Sequence, residues 1–424
     1  MVPSLFRILH FTADGMNQPN PRPAPIPYSR RMEWHTAPNP LSTLRQQLVA
    51  QGREILDLTG SNPTTCGLGD WSEAIADALR RPEIARYQPL AEGLPTARQA
   101  VSDFYASLGT SVDPEHLLLT ASTSESYSFL FQMLCDPGDE VLIPAPSYPL
   151  FEHLAALSAV RLQPYRLRYE GEWLLDTQSL EAAITPRTRA IIVVNPNNPT
   201  ASYLREFEAR HLLALCAQRG LALVADEVFW EHTIPPIPSD RAWFAAASAS
   251  AAQHQALCFS LGGLSKSAGM PQMKVGWIVV NGSAEQRETA LERLRWIADT
   301  YLSVSAPVQY ALRDLLEIGS RIRNVMAARI AENARAFREC AIDAPCLTPL
   351  RVEGGWSAVL RLPALHTDQE WCELFLTRQH LWVQPGYFYD FHSEAHVVLS
   401  LLTETNSFLT GLRRISAEVG GACG

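Results

Sequence analysis

Ala190-Ile191-Ile192-Val193-Val194-Asn195-Pro196-Asn197-Asn198-Pro199-Thr200 runs from a β-branched stretch into a doubled Asn-Pro turn. A helical stretch, Leu204–Arg219, follows, and then a second β-type run, Leu221–Ala225, that ends on Asp226-Glu227. Strand, helix, strand is the pattern of a parallel sheet with a crossover helix. The alternation continues outward in both directions. Further β-type runs stand at His116–Thr120, Glu140–Ile143, Leu257–Leu261 and Val275–Val280, with helical stretches at Ser124–Leu134 and Ala284–Thr300. The fold class is α/β, with a large, mostly parallel sheet covered by helices on both faces. Sheets of this kind place ligands at the carboxyl ends of their strands. Thr120, Asn195, Asp226 and the Ser265-Lys266 turn all fall at such ends.

After a long helical stretch near 284–340 the pattern changes. Val352–Leu362, Leu381–Gln384 and His396–Leu401 look like strands, and Asp368–Gln379 and Asn406–Val419 like helices, which predicts a smaller α+β domain. The expected division is a flexible N-terminal arm over 1–32, an N-terminal part of the small domain over 33–60, a large domain over 61–310 and a C-terminal small domain over 311–424. The arm is expected from its prolines and its lack of an apolar period.

Composition excludes several classes. The 424 residues are 47% hydrophobic, ample for a large core, and the net charge of −9 offers no basic stripe for nucleic acid. No apolar run reaches the length of a membrane helix. The first residues lack a small-residue cleavage site. Eight cysteines without a CxxC pair read as free thiols in a reducing compartment. These features predict a cytoplasmic protein without a bound metal.

Three groups carry the chemistry. Asn198 is an amide in a turn, Asp226 a carboxylate at a strand end, and Lys266 a lysine in the Leu264-Ser265-Lys266 stretch after a strand. A pyridoxal phosphate (PLP) ring needs these three. The lysine amine forms a Schiff base with its aldehyde, the carboxylate keeps its nitrogen protonated, and the amide bonds its hydroxyl. The phosphate would sit on Thr120-Ala121-Ser122-Thr123-Ser124-Glu125, where a strand opens into a helix. Backbone N–H groups at a helix start bind anions, and the hydroxyls of Ser122, Thr123 and Ser124 add donors. A plain Ser/Thr N-cap is the competing reading; the strand–helix position favours the phosphate.

At these residues the chain resembles the class I/II aminotransferases of PLP fold type I, over roughly residues 50 to 415. The resemblance implies a seven-stranded-type sheet in the large domain, a small domain that closes over the substrate, and a homodimer with shared active sites. Tyr148, in Pro146-Ser147-Tyr148-Pro149, matches the aromatic residue that stacks on the ring. Tyr87 matches a tyrosine that reaches the phosphate from the neighbouring subunit. Phe229 stands where the family usually has a tyrosine bonding the ring hydroxyl, and Lys274 where it has an arginine gripping the phosphate. Val398, in Val397-Val398-Leu399-Ser400, occupies the position of the arginine that clamps the substrate carboxylate. The stretches Leu56–Thr64 and Pro385–Phe391 look like a particular bacterial subgroup of unassigned substrate.

The resemblance implies transfer of an amino group from an amine or amino-acid donor to an oxo acid through Lys266. Elimination or decarboxylation on the same scaffold, or PLP binding without turnover, are the alternatives. Without an arginine at 398, the Gly60 N–H and the Asn198 amide become candidate donors to the substrate, and Arg30 or Arg31 of the arm a mobile substitute. Neutral, apolar or amine-type donors are expected in a pocket near Trp356, Tyr387 and Tyr389.

Overall fold

Runs of Val, Ile, Leu and Ala too short for stable helices become strands here, and their neighbours decide which faces they bury. The computed structural model describes residues 26–32, 39–246 and 256–423. Its strands are β1 (Leu56–Asp57), β2 (Leu117–Thr120), β3 (Glu140–Ala145), β4 (Arg161–Tyr169), β5 (Trp173–Leu175), β6 (Thr188–Val194) and β7 (Ala222–Asp226). They continue with β8 (Cys258–Gly263), β9 (Gly276–Asn281), β10 (Thr348–Pro349), β11 (Ser357–Arg361), β12 (Leu381–Trp382), β13 (Gln384–Pro385) and β14 (His396–Ser400).

Eight strands form the large sheet in the order β2-β9-β8-β7-β6-β3-β4-β5. The central pairings β8–β7, β7–β6, β6–β3 and β3–β4 are parallel. β9 runs antiparallel between β8 and β2, and the three-residue β5 adds an antiparallel edge to the expected seven-stranded type. In β6, Ala190, Ile192 and Val194 pack into one apolar cluster, and Ile191 and Val193 into another. A strand buried on both faces in this way reads as a continuous apolar run.

Helix boundaries follow local chemistry. Ser122 caps the helix Thr123–Leu134, its Oγ accepting from Glu125 N at 3.2 Å. Gly220, in the left-handed conformation with φ 66°, ends Glu206–Arg219. The Thr367–Glu370 capping box opens Asp368–Gln379.

Several expectations need adjustment. The helical stretch near 284–340 is two helices, Ala284–Tyr301 and Ala306–Asp343, broken where Leu302 takes φ 45°. The expected boundary at 310/311 falls inside the second of them. The strand expected over 352–362 begins only at Ser357 because Glu353, Gly354 and Gly355 turn away. Glu353 N and Gly354 N donate to Ala201 O at 2.8 and 3.0 Å, and Gly355 N donates to His232 O at 2.7 Å. β4 escaped sequence reading. Its Arg161, Arg166 and Arg168 and its Pro164 suit a strand near the sheet edge, not a buried run.

β10, β11, β14 and β13 form a second, antiparallel sheet, and β1 pairs in parallel with β12. Met1–His35 forms a unit separate from Thr36–Gly424. Within the former, Arg30–Met32 makes a 3-10 turn; most of the expected arm lies outside the described residues. All eight cysteines are free thiols. Among the described residues no helix is long and apolar enough to cross a membrane, and no cluster of three or more His, Cys, Asp or Glu could hold a metal.

Gly262 and Trp277 face each other across β8 and β9, and a Cβ on Gly262 would stand 2.3 Å from the indole Nε1. Trp277 is fully buried and donates to Tyr105 Oη at 3.0 Å, so it has no room to yield. Gly262→Ala should cost about 1–3 kcal/mol, read as a lowered thermal midpoint; an unchanged midpoint would show that this core repacks freely.

Candidate active site

Parallel strands end together, so β6, β7 and β8 deliver their following residues to one rim. A cavity of about 370 Å³ opens there. Lys266 enters it from the single turn Leu264–Ser267 that follows β8. Its Nζ lies 4.8 Å from the centroid of the Trp356 ring and 5.4 Å from that of Phe229. The two rings meet edge to face at 4.7 Å. Burial lowers the Lys266 pKa from its ordinary value, and the Asp226 charge only partly opposes this.

The turn that carries Lys266 is held from behind. Burial pushes His232 down to about 4, which keeps its ring neutral, and Nε2 donates to Lys266 O at 2.9 Å. Ser267 Oγ donates to Glu231 Oε2 at 3.2 Å, and Arg323 donates to Ser267 O.

Asp226 and Glu227 part company. Glu227 accepts from Phe244 N, Ala245 N and Ser260 Oγ at 2.8, 2.9 and 2.6 Å, and so anchors the scaffold. Asp226 lines the cavity, accepting from Tyr127 Oη at 3.0 Å and Val228 N at 3.2 Å. Burial pushes Asp226 up to about 6 despite these donors and Lys266. A cation brought against it, such as a protonated ring nitrogen, would reverse that shift.

The three turn asparagines divide in the same manner. Asn195 spans Ala242 O and Leu204 N, and Asn197 holds Thr200, whereas Asn198 lines the cavity. Asn198 Oδ1 accepts from Ser357 Oγ at 3.0 Å, which leaves Nδ2 as the donor.

Ser122, Thr123 and Ser124 also line the cavity. The Ser122 hydroxyl serves as the N-cap, so the plain reading of that motif holds alongside any anion reading. A Cβ on Gly276 would stand 3.0 Å from Ser122 C and 3.1 Å from Thr123 N, so glycine there lets β9 approach the helix start closely. Lys274 and Tyr148 complete this side.

Not every expected residue is present. Gly60 is not part of the lining, though Thr59 and Ser61 are, and Gly60 O accepts from Ser400 Oγ at 2.5 Å. Tyr87 is 82% exposed and borders a separate hollow with Gln88 and Leu302. Tyr387 is absent from the lining too, its hydroxyl accepting from Asn39 Nδ2 at 3.1 Å. Trp356, Tyr389 and Val398 do line it. Sequence reasoning missed Tyr127, Ser357, Gln384 and Ser400; Tyr127, Ser357 and Ser400 lie within a few residues of expected positions, and the turn of each element decides that they face the cavity. The lining contains Lys266 and Lys274 but no arginine among the described residues.

Residues 53–406 match the family model described as aminotransferase class I and II. The glutamate-pyruvate aminotransferase AlaA of Escherichia coli K12 is 25% identical over 415 residues, 94% of this chain and 99% of that one. An alanine aminotransferase of Mycobacterium tuberculosis H37Rv is 29% identical over 269 residues, 63% of this chain and 61% of its own length. Among solved structures, an Escherichia coli aminotransferase superposes with a TM-score of 0.78 at 24% identity, covering 94% of this chain and 99% of that one. The alanine aminotransferase of Pyrococcus furiosus superposes with a TM-score of 0.80 at 20% identity, covering 90% and 96%. At those identities the superpositions speak to the fold, which is that of PLP fold type I.

Asp226 yields a test of the electrostatics. Its folded pKa, about 6, stands above the ordinary 3.8, so the protonated form favours folding and that contribution is lost as pH rises through 6. In the ligand-free protein, Asp226→Asn should therefore unfold at a higher temperature than wild type above about pH 6. The two should converge below about pH 4. Calorimetric scans across that range decide it, and a wild type that stays the more stable at pH 8 would contradict the raised pKa.

Proposed function

The chain belongs to the class I and II aminotransferases, and on that premise we propose that it binds pyridoxal phosphate in the 370 Å³ cavity and moves an amino group from an amino acid with an uncharged side chain to an oxo acid. One observation carries the reading. A desolvated lysine amine and a desolvated carboxylate face a single cavity from the ends of neighbouring parallel strands, beside a helix start.

The cofactor, when bound, supplies an aldehyde and an electron-withdrawing ring that stabilises negative charge on the donor's α-carbon. Everything else falls to the chain. Asp226 keeps the ring nitrogen protonated, and the Asn198 Nδ2 donates to the ring hydroxyl. The N–H groups at the start of Thr123–Leu134, the hydroxyls of Ser122, Thr123 and Ser124, and Lys274 hold the phosphate. Tyr148, on the cavity wall, would offer a flat face to the ring. Lys266 is the covalent anchor and then the proton carrier between substrate and cofactor, its lowered pKa enriching the neutral amine that a base requires. Phe229 and Trp356 exclude water around that amine.

Tyr87 belongs to the same proposal from outside the cavity. Its exposure suits a hydroxyl that reaches the phosphate of a second copy, and the working unit is then a homodimer.

Replacing the anchor tests the assignment directly. Lys266→Ala should lose the visible absorption band and the borohydride-fixable cofactor, and amino transfer should fall by about 10²–10⁴-fold or more. A variant that still fixes PLP on borohydride treatment would move the anchor to another lysine, Lys274 first.

The donor reading has its own test. The relative from Escherichia coli is named for glutamate and pyruvate, yet this cavity wall carries Val398, Trp356 and Tyr389 and no arginine among its described lining. A second carboxylate entering it loses its water without an arginine to replace it. With pyruvate as acceptor, alanine-sized and larger apolar donors should outperform aspartate and glutamate by at least about tenfold in kcat/KM, the weight of about 1.4 kcal/mol. Aspartate or glutamate turning over as well as the apolar donors would defeat this reading.

A further inference from the structure

Gln384 stands on β13 directly across from Val398 on β14, and both residues line the cavity. It is half-buried between Val383 and Pro385, which are buried. Its Oε1 accepts from the hydroxyl of Tyr389, so the amide is turned with both Nε2 hydrogens left to donate. Tyr389 is itself buried, and Tyr389 O accepts from Ser147 N at 2.9 Å, which fixes the Gly386–Tyr389 turn against the loop that carries Tyr148. Burial raises the Tyr389 pKa, so the phenol remains a donor at neutral pH.

The arrangement recurs nearby. The Ser357 hydroxyl occupies Asn198 Oδ1 at 3.0 Å and leaves that amide's nitrogen as its donor. Two amides of one cavity thus have their oxygens engaged by hydroxyls. In this arrangement both hydroxyls donate to the amide oxygens, and each amide keeps its N–H groups as donors.

We propose that Gln384, oriented by Tyr389, is a substrate-binding residue that donates through Nε2 to the carboxylate of the amino-acid donor, an uncharged amide taking the place of a cationic clamp. The inference rests on the amino-transfer reading of the same cavity. Asn198, which also lines the cavity and has its Oδ1 engaged, offers its Nδ2 as a second amide donor.

The test uses the PLP-loaded enzyme and two readouts: calorimetric binding of 3-methylbutanoate, a carboxylate that cannot react, and steady-state kinetics with a carboxylated donor and with an amine lacking the carboxylate. Gln384→Glu keeps the shape but exchanges donors for a like charge. It should raise the Kd of 3-methylbutanoate and the KM of the carboxylated donor by about 10–100-fold, the weight of a hydrogen bond to a charged group. The loss should fall on KM more than on kcat, and the preference for the carboxylated donor over the simple amine should shrink by a similar factor. Tyr389→Phe, which frees the amide to turn, should weaken 3-methylbutanoate by less, and Gln384→Arg should bind it more tightly than Gln384→Glu. A Gln384→Glu enzyme that retains its visible band and binds 3-methylbutanoate as wild type does overturns the proposal, as does an equal loss with the simple amine. A wild type that lacks the visible band or transfers no amino group defeats instead the amino-transfer reading on which this one rests.

Discussion

A lysine amine and an aspartate carboxylate, both taken out of water at the ends of adjacent parallel strands, set the terms for the rest of the molecule. Burial drives Lys266 toward its neutral form and Asp226 toward its protonated one, and their mutual attraction only partly offsets this. Two groups strained in opposite senses are poised for a ligand that brings one reactive carbon and one cation. The sheet supplies the strain. β7 and β8 pair in parallel with Asp226 opposite Leu261, so the carboxylate and the turn after β8 arrive on the same rim. Neighbouring groups guard the arrangement: neutral His232 holds the Lys266 carbonyl, and Glu227 is kept from the cavity by four scaffold donors.

The second sheet contributes the cavity's other wall, and a charge network centred on buried Arg205 and Glu353 fixes how it meets the first. Arg205 Nη2 reaches Glu172 and Glu353 at 2.6 Å each, and Arg351 Nε reaches Glu353 at 2.9 Å. Buried ion pairs add little net stability because desolvation consumes much of their attraction. Their value here is geometric. Glu353 also accepts from Tyr203 N at 3.1 Å, and Glu353 N and Gly354 N close onto Ala201 O. These bonds put Trp356 against Phe229 and Ser357 against Asn198. The wall that results is apolar and amide-rich, which narrows the substrates it can hold.

Legibility from sequence followed distance along the chain. Strands buried on both faces were readable because their apolar runs leave no other arrangement, and β6 through β9 fell within a few residues of their expected places. β4 was not readable, since three arginines and a proline hide a strand whose outer side meets only the short β5. Asn198, Asp226 and Lys266 were visible as motifs at strand ends, and all three line the cavity. Tyr387 and Gly60 were expected beside them. The structure turns the first toward Asn39, and in the second it is the carbonyl that is engaged, by Ser400.

By itself the sequence determined the α/β architecture, most of the strands that end at the site, and the identity of the ionisable pair. Each is written in local periodicity or in a residue's place after a strand. Only the tertiary structure decided that Glu227 is held by the scaffold, that Gln384 stands across from Val398, and that two hydroxyls donate to the amides around it. Those facts depend on register and on hydrogen bonds between segments as far apart as 159 residues. A side chain's direction there is set by register and by the group it meets, and periodicity along the sequence gives neither.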